Sequence, residues 1–524
     1  MASLLLGGGT RSGFLSDAAL QLVSVPLLLG AIWSLKDCHL PEYNRPVWAF
    51  WLLIIGVHVA QLVPLPPGLW AALPQRAQLI VNLDGAATAW MPLSVSPTAT
   101  WLALLSLIPP LAVFLAAIQL SLHQRRNLSL IVLAFAVVSV FLGLAQLSQG
   151  ANSALRFFSH TNTDDSVGFF ANRNHFSAFL YIALLIAVVW AWAAVSAVQA
   201  PADRQRPAAW AVFLMVVALL VLVLLLVGQV MTRSRAGLAL TIIALFGAFA
   251  VAISDRRSIA NVTPAKMLGG AVVLVALMST QYALYRIIER FGDDPLKDAR
   301  IPFARNTYQA AKAFMPFGSG VGTFVPVYGL FEKPQDSMLD FYANRAHNDI
   351  LEMWLETGVA GLVLFAIFAL WLMLRAAKIW VTPSVEGHQI DLTLARAAAI
   401  AVVLVIAHSF VDYPLRTNAM MALVAFLCAL LVSPPVTNEL GVQSALEERP
   451  PAPLAPQRPY QHDTRHEAWT QAPSSPGQDV TPAAQPQPSQ RGGRWGETIE
   501  WPEAWRNDKP PDPARKARDP PSNS

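Results

Sequence analysis

Cysteine and charge are both scarce in this chain. Two of its 524 residues are cysteine, Cys38 and Cys428, too few for a disulfide framework or a thiolate metal cluster. Charged residues make up 13%, about half the share of an average soluble domain. No HExxH, no Cys/His ligand set and no Walker-type phosphate loop occurs, which argues against a metal protease or an ATP-driven pump. The glycine run GSGVG at 318–322 lacks the following Lys-Ser/Thr and reads as a turn. The net charge of +4 carries little information, because the basic residues sit in loops and no basic–aromatic patch marks a nucleic-acid surface.

Apolar residues are abundant: 54% of the chain, with a mean hydropathy of +0.44. Runs of roughly 20 apolar residues, the length a helix needs to cross the hydrocarbon core, recur near 14–34, 46–64, 99–120, 129–148, 175–200, 208–231, 236–253, 267–285, 358–377, 394–411 and 417–433. The reading is an all-α polytopic membrane protein with about 11 transmembrane helices. The first run is followed by Lys36 and by no small-residue cleavage site, so it is expected to stay in the mature protein. Loops carrying Lys36 and Arg45, Arg125 and Arg126, Arg204 and Arg206, Arg256 and Arg257, then Arg375 and Lys378 alternate along the chain. The positive-inside rule puts them in the cytoplasm. The segments 65–98, 149–174, 286–357 and the turns around Arg233 and Arg416 then face outward, with the C-terminus inside.

Residues 1–434 form the membrane domain. From 435 to 524 the chain is rich in Pro, Gln and Ser with few apolar residues, a composition that cannot bury enough surface to offset its ordering entropy. A disordered cytoplasmic tail is expected there. The outer loop at about 286–357 is long for a simple connection, and RIIERF, FARNTYQAAKAF and NDILEMWLET within it read as short amphipathic helices. Asn348 or Asp349 can cap the last of these, and Gly358 can end it before a span begins. Its carboxylates Asp349, Glu352 and Glu356 fall largely on one polar face, expected to lie on the membrane surface, where Glu352 should tolerate replacement.

Polar residues recur at the outer ends of several spans: Asn172, Asn174 and His175; Arg233 and Arg235; Arg345, His347 and Asn348; His408, Asp412 and Arg416. Ionisable groups near lipid are costly and face a cavity or a partner, so several at one depth suggest a shared site. Each also has a plain structural reading: a snorkelling arginine, a packing histidine for His175 or His408, a turn or cap for Asn172 and Asn174. Arginine suits a diphosphate, because its fixed donors grip phosphate oxygens in pairs. With no nucleotide motif, the energy is expected to come from a sugar already activated on a lipid diphosphate. No cofactor and no metal is expected. A transporter is the weaker reading, since its polar groups would lie near the bilayer midplane rather than at one rim.

The segments GFFANRNHFSAF, TRSRAGL, RNTYQAAKAFMPFGSGVGTF, RAHNDILEMWLETGVAGL and HSFVDYPLRTNA, in this order among many spans, resemble the O-antigen ligase family, which includes polysaccharide polymerases and O-oligosaccharyltransferases. The resemblance covers roughly 20–435. It implies a GT-C-like, metal-independent glycosyltransferase of the bacterial inner membrane, working on the periplasmic face with an undecaprenyl-diphosphate glycan donor. By the same resemblance Arg235 and Arg305 would bind the diphosphate, and His347 would activate the acceptor hydroxyl or assist the leaving group. Asn172, Asn174, His175, Arg233, Arg345, Asn348, Asp412 and Arg416 are the candidate substrate-binding residues around them. The implied acceptor is lipid A–core in a ligase; the alternatives, with the same donor, are a growing glycan in a polymerase or a protein in an O-oligosaccharyltransferase. The chain departs from the family pattern in its Pro-rich tail and in the extended LVPLPPGLWAALPQRAQ segment, which suggests a different acceptor or partner.

Overall fold

The computed structural model describes residues 1–10, 15–36, 45–80, 88–199, 208–254, 295–336, 343–383 and 388–432. The expected span at 267–285, the RIIERF helix and the 435–524 tail lie outside the described residues. Within them the chain is an all-α polytopic membrane protein, with eight helical spans long and apolar enough to cross a bilayer, one of them the broken run Pro97–Gln119, and two shorter apolar helices. The helices in chain order are α1 (Ala2–Leu6), α2 (Leu15–Ser34), α3 (Arg45–Leu62), α4 (Pro67–Ala71), α5 (Arg76–Ile80), α6 (Pro97–Leu105), α7 (Ile108–Gln119), α8 (Leu122–Gln149), α9 (Arg173–Gln199), α10 (Ala208–Met231), α11 (Arg235–Ile253), α12 (Pro295–Ala313), α13 (Phe324–Phe331), α14 (Asp349–Val381), α15 (Gln389–Ser409) and α16 (Asn418–Val432). The apolar run expected at 99–120 is two helices, α6 and α7, broken just before Pro109 and Pro110. Proline removes a backbone donor and crowds the preceding turn, so a helix arriving there stops and restarts.

The long helices differ in how they meet lipid. α9 and α15 are buried over most of their length, while α10 leaves Leu219, Leu220 and Val223 exposed. Between helices in a bilayer the driving force is close packing rather than exclusion of water, and small residues permit it. The run of alanines at 395, 397, 398, 399 and 401 in α15 is fully buried, and α15 packs on α9, α11 and α16. α16 and α2 both pack on α7.

A second, smaller core holds the outward segment together. In α12 Phe303, Thr307 and Ala310 are buried while Arg305 and Tyr308 are exposed, the helical period of an amphipathic element. Phe303 and Ala310 join Phe314, Phe324, Tyr328, Ala346 and Leu355 in one cluster. The 318–322 glycine run is a turn, with Gly318, Gly320 and Gly322 all at positive φ. It answers a specific need of α14. That helix breaks at Gly358 (φ 60°), and a break frees carbonyls that must find other donors. Ser319 N–H donates to Leu355 O and Gly320 N–H to Glu356 O, both at 2.9 Å, and Val359 N–H returns to Pro316 O at 2.9 Å. A Cβ on Gly358 would run into Pro316 O.

The extended segment after α3 is built into this junction. Its two-residue strands, β1 (Pro64–Leu65) and β2 (Met91–Pro92), pair antiparallel. The fully buried Arg76 donates to Leu93 O at 2.7 Å and Gly318 O at 2.8 Å, with its guanidinium 4.9 Å over the Phe314 ring. Burial lowers the Arg76 pKa to about 10. Gln61 also reaches in, donating to Glu356 O at 2.9 Å and accepting from Val321 N–H at 2.8 Å.

Candidate functional site

The start of α14 is set by local chemistry. Asn348 caps it, its side chain accepting from Ile350 N–H and Leu351 N–H at 3.0 Å each, while its amide donates to Phe410 O at 2.8 Å. Just ahead, His347 adopts φ +50°, a left-handed conformation that costs a non-glycine residue energy and tends to persist where the surroundings over-determine it. Arg233, at φ +52°, does the same before α11.

Those surroundings bring three histidines to one carboxylate. His347 Nδ1 lies 3.3 Å from Asp412 Oδ1, and Asp412 is fully buried. The Tyr413 ring meets His347 edge-on at 4.9 Å and His175 edge-on at 4.9 Å, and Asn172 donates to its hydroxyl at 3.3 Å. Phe303 of α12 stacks on the other side of His347, centroids 6.0 Å apart. Tyr181 reaches His408 Nδ1 at 3.4 Å. Burial pushes the Asp412 carboxyl up, but the imidazoles around it, His347 first, outweigh that and hold it below the usual carboxylate range. Among the described residues no group of three or more His, Cys, Asp or Glu is set to hold a metal ion, these three imidazoles and Asp412 included.

The cluster is rich in buried polar atoms short of hydrogen-bond partners: both ring nitrogens of His175, Nε2 of His408, Oδ2 of Asp412, and Nε of Arg300 and of Arg345 have none, and Nδ1 of His347 and Oδ1 of Asp412 face only each other. Folded proteins satisfy the great majority of such groups, so each exception calls for an explanation. Their concentration at one place marks a site that a ligand or water completes.

The remaining sequence candidates divide. Arg416 and Arg345 hold the α14 carboxylates: Arg416 reaches Glu356 at 2.7 Å, Asp349 at 3.3 Å and Glu352 at 3.5 Å, and Arg345 reaches Glu352 at 2.9 Å. Those carboxylates are buried, Glu352 completely, so the expected outward polar face is instead an internal ion network. Asp349 N–H donates to Asp412 O at 3.3 Å and joins that network to the imidazoles. Asn172 serves a turn, accepting from Asn174 N–H at 2.8 Å, and Asn174 is buried beside it. Arg233 lies 3.7 Å from Asp165, which also pairs with Arg173 at 2.8 Å. Arg235 is half-buried at the start of α11, in the turn capped by Ser234, which accepts from Gly237 N–H at 3.1 Å. Arg305 is half-exposed and paired with Asp336 at 2.7 Å, and its bonds, together with Asn306, hold that carboxyl below the usual range.

Arg300 and Tyr413 were not among the candidates. Arg300 lies within electrostatic reach of His408. The helical period contains its signal: residues 300, 303 and 307 share a face of α12 and the latter two are buried, whereas 305 falls on the opposite face.

A cavity of about 670 Å³ is lined by apolar side chains of α2, α3, α6, α7, α14 and α16 and, among its polar residues, by Arg345, Asp349, Glu356 and Arg416.

Residues 220–366 match a family model described as O-antigen ligase. That segment is similar to the O-antigen ligase family. No curated protein matches it. The matched segment carries Arg233, Arg235, Arg300, Arg305, Arg345 and His347, and ends just past the break in α14; Asn172, His175, Asp412 and Tyr413 are brought to it from outside the match. The match supports, in general terms, an O-antigen ligase-like glycan transferase.

Proposed function

We propose that this protein acts as an O-antigen ligase, transferring a glycan from an undecaprenyl-diphosphate carrier to an acceptor hydroxyl on the periplasmic face of the inner membrane, with lipid A–core as the acceptor. The observation that carries the reading is the convergence of buried polar atoms short of partners around the paired His347 and Asp412. Asp412, facing Nδ1, favours the tautomer with the proton on that nitrogen, which frees Nε2 to act as a base. In the reaction the acceptor oxygen attacks the anomeric carbon and gives its proton to Nε2 of His347. The bond from that carbon to the diphosphate oxygen breaks, and the carrier leaves with its electron pair. Asp412 then stabilises the imidazolium. Guanidinium groups suit the developing diphosphate charge; Arg235 is the candidate at the α11 start, and on α12 the inward-facing Arg300 is better disposed than the Asp336-paired Arg305. The adjacent cavity supports a lipid-borne substrate.

The test is transfer by the purified full chain in vesicles, without ATP and with chelator, from undecaprenyl-diphosphate-linked glycan to lipid A–core, to a second donor molecule, or to a Ser/Thr-rich protein in parallel arms. Transfer to lipid A–core alone is expected. Product in the second or third arm would reassign the acceptor, and no product in any arm would overturn the reading. His347→Ala should lower turnover by roughly 10²–10⁴-fold at normal membrane levels.

A further inference from the structure

Residues 1–10 thread between the segment that carries Asn172 and the one that carries Asp412 and Tyr413. α1 packs on α16 and α2, and Gly7, Gly8, Gly9 and Thr10 are all buried. Gly7 O accepts from Ala419 N–H at 3.0 Å, and Gly8 O accepts from Ala171 N–H at 2.9 Å. The first bond satisfies one of the free donors in the opening turn of α16. The second fixes the residue next to Asn172. Asp17, at the start of α2, accepts from Asn418 at 3.0 Å and adds a third tie.

Neither Gly7 nor Gly8 has a positive φ; what glycine supplies here is close approach. A Cβ on Gly7 would sit 2.6 Å from Ser3 O and 2.7 Å from Ala419 N, and one on Gly8 would meet Phe169 O and come within 2.9 Å of Phe170 Cα. The backbone of this segment is therefore pressed against both loops. From Gly8 the contacts run through Ala171 to Asn172, from Asn172 to the Tyr413 hydroxyl, and from the Tyr413 ring to His347.

We propose that Gly7 and Gly8 are positioning residues for the transfer reaction, their carbonyls bracing the 169–172 and 412–419 segments at the separation that sets Tyr413 and His347. The inference rests on the transferase reading above. Positioning errors of about 1 Å far from the reacting atoms cost on the order of 10²-fold in rate. Gly8→Ala should accordingly lower kcat by on the order of 10²-fold with the donor KM little changed. Gly30→Ala and Gly56→Ala, where a Cβ meets open space, should leave kcat unaltered.

The decisive measurement is a double-mutant cycle of Gly8→Ala with Tyr413→Phe, in the full chain in vesicles. If Gly8 acts through Tyr413, the combined loss falls short of the product of the two single losses. A purely structural role predicts multiplicative losses, and that result, or an unaltered kcat in Gly8→Ala, overturns the proposal. Should Gly8→Ala fail to accumulate in the membrane, Asp17→Ala removes the third tie and leaves both glycine carbonyl bonds in place; a lowered kcat that is again non-multiplicative with Tyr413→Phe supports the brace, and a multiplicative or absent effect rejects it. Wild-type protein that transfers nothing counts against the transferase reading, whereas active wild type with a normal Gly8→Ala counts against the brace alone.

Discussion

Replacing Arg416 by methionine removes one guanidinium from among three buried carboxylates. Asp349, Glu352 and Glu356 are 5%, 0% and 1% exposed, and Arg416 lies within 3.5 Å of each. Glu352 would retain Arg345 and the Ala346 N–H at 2.9 Å each. Asp349 would retain Ser409 O–H at 2.9 Å and Leu415 N–H at 3.1 Å but no cation, and Glu356 would retain only the Phe324 N–H at 3.3 Å. Breaking a buried pair by deleting one partner costs roughly 3–5 kcal/mol, because the other charge stays buried. At about 2 °C per kcal/mol, the large-domain end of the range, the loss of unfolding midpoint is roughly 6–10 °C. Arg416→Lys restores charge without the planar fork and should fall between the two. The assay is thermal unfolding of detergent-solubilised protein followed by size-exclusion fluorescence. A midpoint within about 2 °C of wild type, equivalent to the ~1 kcal/mol of an exposed pair, would show that the network is solvated and that the burial argument is wrong.

Glu352→Gln, which the helical pattern alone would rank as mild, is expected to cost about 3 kcal/mol, because it leaves Arg345 without its carboxylate; the same thermal assay checks it, and a neutral result refutes the assignment. Arg300→Ala should impair transfer more than Arg305→Ala, since Arg305 is half-exposed and already committed to Asp336; the kcat/KM ratio for donor decides, and the reverse order would return the role to Arg305. Asp412 supplies the pH prediction. Its carboxyl is held below the usual range, so the stability it contributes is present above the unfolded value near ~3.9 and is lost only as pH falls below it through the folded value. The stability gap between wild type and Asp412→Asn should therefore not narrow between pH 7 and pH 5, where protonation of a neighbouring imidazole can only widen it, and a gap that closes in that window would contradict the charge assignment.

The spans, the Asn348 cap, the Gly358 break and the glycine turn were legible in the sequence because each is governed by residues within a few positions of one another. Hydropathy over a window decides membrane insertion, a side-chain oxygen two or three residues ahead decides a cap, and a residue that needs positive φ is marked by glycine. Polar residues at the span ends point to a shared site, and the structure gathers His175, His408, Asp412 and Tyr413 around His347. The partners are another matter. Arg305 and Arg300 are five residues apart with the same side chain, and only the packing of α12 against α14 turns one toward the imidazoles and the other toward Asp336. Glu352 has the period of a surface carboxylate until Arg345 and Arg416 close over it. The facing of His347 by Asp412, the edge of Tyr413 between two histidines, and the threading of Gly7 and Gly8 between two loops all join residues distant in the chain. Such contacts leave no local pattern, because their energy arises only once the helices have packed and water has been excluded from between them.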